Sequence, residues 1–120
     1  MTKANKSFGD AGEAAAVARL KKLGYRILKT NYKAPFGEID VIAEHEGAVV
    51  FVEVKARSGT DFGGPLLAVH PQKQRKIAQV AQYFLTKNKI GSRETRFDVV
   101  GITGNQDDWT IEVVKGAFRI

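Results

Sequence analysis

The sequence has 120 residues, 43% of them hydrophobic, which suffices for one core but not two, so we expect a single domain over residues 1–120. It contains no cysteine, which excludes disulfide frameworks, thiolate metal sites and thiol nucleophiles and favours a reducing, cytoplasmic setting. The net charge of +6 suggests a polyanionic partner such as DNA, and no apolar run is long enough to cross a membrane.

The first predicted elements are a helix and three strands. The helix covers residues 7–23, and Gly24 is its expected C-terminal stop. Short segments rich in Val, Ile, Phe and Tyr follow, separated by turn residues, which is typical of a meander. These strands cover residues 25–28, 37–43 and 48–55.

A helix and two strands complete the predicted fold. We expect a mobile loop over residues 59–70 and then a helix over 71–88, because Pro71 suits a first turn and apolar residues recur at helical spacing. The last strands cover residues 96–102 and 109–114. The order αβββαββ predicts an α/β (α+β) fold, a mixed five-stranded β-sheet flanked by helices.

Charged residues interrupt two of the predicted buried strands. Residues 49–54 form an almost continuous apolar run that should be buried on both faces, yet Glu53 lies within it and Lys55 follows it. Since side chains alternate along a strand, Glu53 and Lys55 share one face. Asp40 interrupts the preceding strand in the same way. Neighbouring acids in a sheet need a compensating partner, which is either an ordinary ion pair with Lys55 or a divalent cation.

Glu13 is a candidate third acid. It precedes Val17 and Leu20 by four and seven positions, which places it on the apolar stripe of the first helix. Small residues near the same side would let this helix lie close to the sheet, so Glu13 could converge with the other acids. The alternative is a capping or dipole role in the first turns of the helix, where acids are favoured electrostatically.

Three acids beside a lysine suit the hydrolysis of phosphodiesters. Carboxylate oxygens can hold Mg²⁺ against a phosphate, where the ion neutralises developing charge and lowers the pKa of a coordinated water. Lys55 would orient or help deprotonate that water, or stabilise the pentacovalent phosphorus. The sequence leaves these roles open.

Basic side chains near this site are candidates for phosphate contacts. Lys73 lies near the apolar side of the second helix, and Arg57 follows the acid-bearing strand, so each either reaches a phosphate or remains a solvated charge. The candidate DNA-binding residues are Arg57, Lys73, Arg75 and Lys76.

Other polar and aromatic residues are assigned structural positions. Gln79 and Tyr83, four residues apart on the second helix, resemble a motif found in some exonucleases, but we expect them at the edge of a packed helix. His45, in a predicted turn, and His70 are expected at the surface. Asp98, inside a strand, should have a structural partner.

The motif of one acid followed by Glu-Val-Lys on the next strand resembles the PD-(D/E)XK nuclease superfamily, which has a restriction-endonuclease-like fold. The longer pattern resembles the bacterial YraN-like family, which is similar to the archaeal Holliday junction resolvases. The resemblance covers nearly the whole chain and rests on residues 9–13, 31–32, 37–43, 51–57 and 96–100.

The resemblance implies a site and its cofactor. Asp40 and Glu53 would be metal ligands, together with the main-chain carbonyl of Val54, and Lys55 would be the catalytic lysine. Glu13 matches the helix-borne acid of the resolvases, which makes it a candidate catalytic residue and metal ligand. The implied cofactor is Mg²⁺, with Mn²⁺ able to substitute.

The leading hypothesis is therefore a metal-dependent endonuclease acting on DNA, with branched or structured DNA in repair or recombination as its candidate substrate. A homodimer is expected, because resolving a four-way junction needs two symmetric cuts and twofold dimers are the commonest oligomers. The alternatives are a non-catalytic or weakly catalytic nucleic-acid-binding module of the same fold and a basic structural protein with incidental ion pairs.

Overall fold

Two helices and five strands form the chain in the computed structural model, which describes residues 3–57, 69–105 and 108–119, and side chains within 11–56, 69–104 and 108–119. The predicted order αβββαββ is confirmed, whereas most of the predicted loop over 59–70 lies outside the described residues. The elements are α1 (Lys3–Lys22), β1 (Arg26–Ala34), β2 (Gly37–His45), β3 (Ala48–Arg57), α2 (Pro71–Lys87), β4 (Thr95–Asn105) and β5 (Asp108–Phe118).

Local backbone conformations explain where α1 ends and where β2 turns into β3. Gly24 has a φ of 94°, a left-handed conformation that glycine adopts without steric cost and that stops the helix. Between β2 and β3, Glu46 and Gly47 have φ values of 53° and 83°. Two positive φ values in a two-residue loop are the signature of a type I′ turn, whose twist matches that of the paired strands.

The sheet has the strand order β1-β2-β3-β4-β5, so β3 is central. The pairs β1–β2, β2–β3 and β4–β5 are antiparallel, whereas β3 and β4 are parallel. A parallel pair needs a crossover connection, and α2 lies in the chain between these two strands. The sheet is therefore mixed, as predicted.

Each helix covers a different face of the sheet. Ala16 and Leu20 of α1 pack with Val50 and Val52, whereas α2 packs against Phe51 and its neighbours. Side chains of β3 therefore alternate between the two cores, and each fully buried aliphatic side chain contributes about 1.5–3 kcal/mol. Glu53 lies where this buried run ends.

The two edge strands are longer than the sequence predicted. β1 reaches Ala34 and β5 reaches Phe118, well beyond the apolar segments expected at 25–28 and 109–114. Every residue of both strands is exposed or half-buried, so main-chain pairing with one neighbour, rather than a run of buried apolar residues, maintains them. None of the described helices is long and apolar enough to cross a membrane.

Candidate active site

Two acids meet where the pairing of β2 and β3 ends. The last regular pair is Val41 with Val52, and one further residue on each strand places Asp40 opposite Glu53. There Asp40 Oδ2 accepts a hydrogen bond of 2.8 Å from the main-chain N–H of Val54. The carboxylate of Asp40 thus accepts a hydrogen bond from a main-chain N–H at this end of the sheet, and this bond fixes its orientation.

Burial and charge repulsion act together on Glu53. Its side chain is 17% exposed and its carboxylate lies 3.5 Å from Nζ of Lys73 on α2. Burial foremost, and then the charge of Asp40 and a hydrogen bond with it, raise the pKa of Glu53 to about 7, although Lys73 acts in the opposite direction. Near neutral pH the acid pair therefore carries a proton part of the time.

Lysines approach the acid pair from β3 and from α2. Lys55 is half-buried and, by strand alternation, shares the face of Glu53, as the sequence predicted. Lys73 is half exposed and forms an ion pair with Glu53, a contact that the sequence did not predict. The sequence showed only that Lys73 lies in the first turn of a helix. That position does not indicate which residues of the sheet Lys73 contacts.

Glu13 belongs to the helix on the other face of the sheet. A Cβ added to the preceding Gly12 would lie 3.5 Å from Cβ of Ala56, so this part of α1 runs close to the end of β3. Glu13 itself is half-buried and engaged in a polar or electrostatic contact. Among the described side chains, no three Asp, Glu, His or Cys residues form a cluster that could hold a metal ion. The structure therefore brings Asp40 and Glu53 together without a third acid, and the role of Glu13 stays a prediction.

The predicted DNA-binding residues lie on β3 and α2. Arg75 and Lys76 are exposed on α2, two and three residues after Lys73. Arg57 is the last residue of β3, and its side chain lies outside the described set. Their role in binding phosphate stays a prediction.

The acid pair fits a hard divalent cation. Its donors are carboxylate oxygens, which Mg²⁺ prefers, and the two acids are brought close together inside a partly buried site. Repulsion from Asp40 helps to raise the pKa of Glu53. A bound cation would relieve this repulsion, because its positive charge favours the ionised form of both acids. The donor set and its electrostatics therefore fit Mg²⁺, whose binding stays a prediction.

The contribution of Glu53 to the stability of the metal-free protein should decrease as pH rises from about 4.5 to 7. Because the pKa of Glu53 is raised in the folded state, the folded protein binds this proton more tightly than the unfolded chain, and unfolding becomes easier as the proton is lost. The expected loss is about 2–3 kcal/mol, since one pKa unit corresponds to about 1.4 kcal/mol. Denaturant unfolding in EDTA across this range measures it.

Glu53→Gln should remove most of that slope, because glutamine does not titrate. Glu44→Gln is the matched control, because hydrogen bonds from Arg93 and Arg26 lower the pKa of Glu44 and its contribution changes with pH in the opposite direction. An unchanged slope in Glu53→Gln would contradict the raised pKa.

Asp98 has the structural partners that the sequence predicted. It is fully buried in β4 and binds Arg96 through two hydrogen bonds, Nε to Oδ1 at 2.9 Å and Nη2 to Oδ2 at 2.8 Å. The hydroxyl of Tyr25 donates to the same carboxylate at 2.7 Å, and the main-chain N–H of Gly116 donates at 3.0 Å. Every oxygen of this buried charge is thus hydrogen-bonded, as burial requires.

His45 belongs to the same network, so its prediction as a surface residue was wrong. It ends β2 rather than lying in the turn, and its ring stacks on Tyr25 with centroids 3.9 Å apart. Its side chain is 11% exposed, and Nδ1 lies 2.7 Å from Nη2 of Arg96. The pairing of β1 with β2 places His45 over Tyr25. The local sequence around His45 could not indicate this contact. His70 is exposed, as expected.

Comparison with known sequences identifies the family. The profile of the Uncharacterised protein family UPF0102 matches residues 12–102. The chain belongs to this family. A UPF0102 protein of Geotalea daltonii is 46% identical over 119 residues, which are 97% of this chain and 92% of the relative. A UPF0102 protein of Syntrophus aciditrophicus is 43% identical over 112 residues, or 93% and 88% of the two chains.

A third relative extends the match to the full length of another chain. The UPF0102 protein of Moorella thermoacetica is 41% identical over 120 residues, covering 98% of this chain and all of the relative. The YraN-like resemblance recognised from the motifs is thereby confirmed. The segment matched by the UPF0102 profile includes Glu13, Asp40, Glu53 and Lys55.

Proposed function

We propose that this UPF0102 protein is a Mg²⁺-dependent endonuclease that hydrolyses phosphodiester bonds in DNA. The observation that carries the proposal is the pair of Asp40 and Glu53, opposed at the end of two strands with Lys55 on the face of Glu53. The YraN-like family's resemblance to the PD-(D/E)XK nucleases adds support, because their motif is formed by these residue types.

The electrostatics favour a functional site over an ordinary ion pair. In an ion pair that stabilises the fold, the lysine would hold the pKa of its carboxylate below the usual range. Here the pKa of Glu53 is raised to about 7 even though Lys73 lies 3.5 Å away. A partly buried acid held beside another acid is a cost to the fold, and such costs are concentrated at functional sites.

Each residue then has a defined task. Asp40 and Glu53 would hold Mg²⁺ through their carboxylates, with the main-chain carbonyl of Val54 as a further donor. When bound, the ion supplies positive charge to the phosphate and lowers the pKa of a bound water. Lys55, on the face of Glu53, would place its ammonium group beside the phosphate, where it orients the water or stabilises the charge that develops.

The residues around the pair prepare it for this task. The main-chain N–H of Val54 keeps Asp40 in place before any ligand arrives, which lowers the cost of ordering the site. Lys73 holds Glu53 from α2. Arg75 and Lys76 extend positive charge along that helix, where backbone phosphates would give affinity without sequence preference.

The proposed substrate and assembly follow from the resolvase-like pattern. Branched DNA in the cytoplasm, during repair or recombination, is the proposed substrate class, and a twofold dimer would supply the second cut of a four-way junction. Light scattering at high micromolar concentration, with and without junction DNA, should show a dimer. A monomer under both conditions would contradict the proposal that the protein resolves four-way junctions, and would leave an enzyme that cuts one strand.

A cleavage assay tests the proposed function. Linear duplex, single-stranded, flapped and four-way DNA are incubated with protein in Mg²⁺, Mn²⁺ or EDTA. Cleavage in either metal and none in EDTA is expected. Binding to these substrates without cleavage in any metal would instead support the nucleic-acid-binding module.

A further inference from the structure

An exposed aromatic side chain lies in a groove that the acid pair does not use. Phe36, in the turn between β1 and β2, is 45% exposed, whereas most large hydrophobic side chains of the described chain are buried. Its ring meets that of Tyr83 edge to face, with centroids 5.8 Å apart. The groove has a volume of about 780 Å³ and is lined by Phe36, Gln79, Gln82, Tyr83, Thr86 and Lys87.

Gly37 allows the turn to lie against α2 and so forms the groove. A Cβ at this position would lie 3.2 Å from Cγ2 of Val80, so a larger residue would push the turn away from the helix. The close approach sets Phe36 against Tyr83 at the surface and not in the core. Part of the Phe36 ring is thus open to solvent, and covering a phenylalanine is worth about 1.5–3 kcal/mol to a ligand that packs on it.

The groove and the acid pair lie on the same side of the sheet. Lys73 of α2 contacts Glu53, and Tyr83 of the same helix contacts Phe36. Phe36 lies just before β2, and Asp40 follows it by four residues, a separation of about 13 Å at about 3.3 Å per residue. A few nucleotides of one strand span that distance.

The chemistry of the groove fits a nucleotide. None of the described residues that line it is acidic, and Nζ of Lys87 lies 5.5 Å from the centroid of the Tyr83 ring. Aromatic faces beside a lysine are how proteins bind unpaired bases, because every base can stack and every phosphate is charged. The amides of Gln79 and Gln82 can both donate to and accept from a base edge.

We propose that the exposed ring of Phe36, held edge to face by Tyr83, stacks on an unpaired base of a DNA strand, with Lys87 contacting its phosphate. The site selects DNA that contains a single-stranded segment over continuous duplex. This inference rests on the proposed function, because it assigns the substrate class of the same enzyme, and it is tested by binding without catalysis.

The test compares two single strands that differ only in their bases. Fluorescence anisotropy in EDTA measures the affinity of the full chain for an oligothymidylate and for an abasic strand of equal length and charge. Wild type should prefer the strand with bases. Phe36→Ala should weaken that binding about tenfold or more, as loss of one stacked base predicts, and leave abasic and duplex binding within about twofold.

Two further variants separate stacking from loss of an exposed apolar surface. Phe36→Trp should retain the preference for bases, since a larger aromatic ring can stack in place of phenylalanine. Leu23→Ala is the matched control, because Leu23 is 50% exposed at the end of α1 and should affect neither strand. Thermal melting checks that all three variants fold.

The outcomes separate this inference from the proposed function. Equal affinity of wild type for the two strands, or a Phe36→Ala variant that binds both as wild type does, overturns the stacking site. A Phe36→Ala variant that loses self-association instead assigns the groove to a second copy of the chain and also overturns it. A base preference lost in Phe36→Ala, in a protein that cleaves no DNA, supports the stacking site and refutes the enzyme.

Discussion

Asp40→Asn is expected to lower metal-dependent DNA cleavage by at least about 1,000-fold, since the lost charge stabilisation amounts to several kcal/mol. The variant suits the test because asparagine keeps an oxygen that can accept the 2.8 Å hydrogen bond from Val54. The main-chain geometry should therefore survive while the charge of the ligand disappears. Glu53→Gln should have a similar effect, because it removes the opposing carboxylate.

Binding measurements show whether the variants have lost the cleavage step or the binding of DNA. Both variants should bind DNA within about threefold of wild type, since lysines and arginines supply most of the phosphate contacts. Calorimetry with Mn²⁺ should show no binding of the ion. In EDTA, Asp40→Asn should be at least as stable as wild type, because removing the charge of Asp40 relieves its repulsion with Glu53.

Asp108→Asn is the control for a change of charge alone. Asp108 is an exposed acid at the start of β5, far along the chain from the site, and its replacement should leave cleavage unchanged. An Asp40→Asn protein that binds Mn²⁺ and cuts DNA like the control would refute the proposed site.

Asp98→Asn is expected to cost the fold about 3–5 kcal/mol, the usual effect of removing one partner of a buried ion pair. Asp98 is fully buried, and Arg96 directs two hydrogen bonds to its carboxylate. Asparagine presents an NH₂ group where one of these donors requires an acceptor. Since small domains are stable by about 5–15 kcal/mol, this single change removes a large part of the total.

Denaturant unfolding measures the effect, with two comparisons. Tyr25→Phe removes only the hydroxyl that donates to Asp98 and should cost about 1 kcal/mol, the net value of a typical hydrogen bond. Glu44→Gln, which disrupts the exposed contacts to Arg26 and Arg93, should lower the unfolding midpoint only slightly. If Asp98→Asn unfolded at the midpoint of wild type, the buried charge would not support the fold.

Strand alternation made part of the candidate site predictable. Since successive side chains point to opposite faces, Glu53 and Lys55 had to share a face, whereas alternation does not fix how far along the neighbouring strand Asp40 lies. The helix of Glu13 could be predicted from its periodicity. Which face of the sheet it covers could not, because that depends on how α1 packs against β3 and β4.

Contacts between residues far apart in the sequence could be predicted only in part. The sequence predicted that Asp98 has a partner, because a buried charge requires one, but it could not name Arg96 and Tyr25. His45 was misplaced because its stacking on Tyr25 arises from the pairing of β1 with β2, not from any local pattern. The ion pair of Lys73 with Glu53 likewise exists only because α2 lies across the end of β3.

The sequence by itself determined the element order, the family and the face shared by Glu53 and Lys55, because periodicity and motif spacing are properties of neighbouring residues. Only the tertiary structure decided that Asp40 opposes Glu53 closely enough to raise its pKa, and that Phe36 remains exposed against Tyr83. Both depend on the distance between segments that are far apart in the chain. The first distance is set by the register of β2 with β3, and the second by packing of the β1–β2 turn against α2.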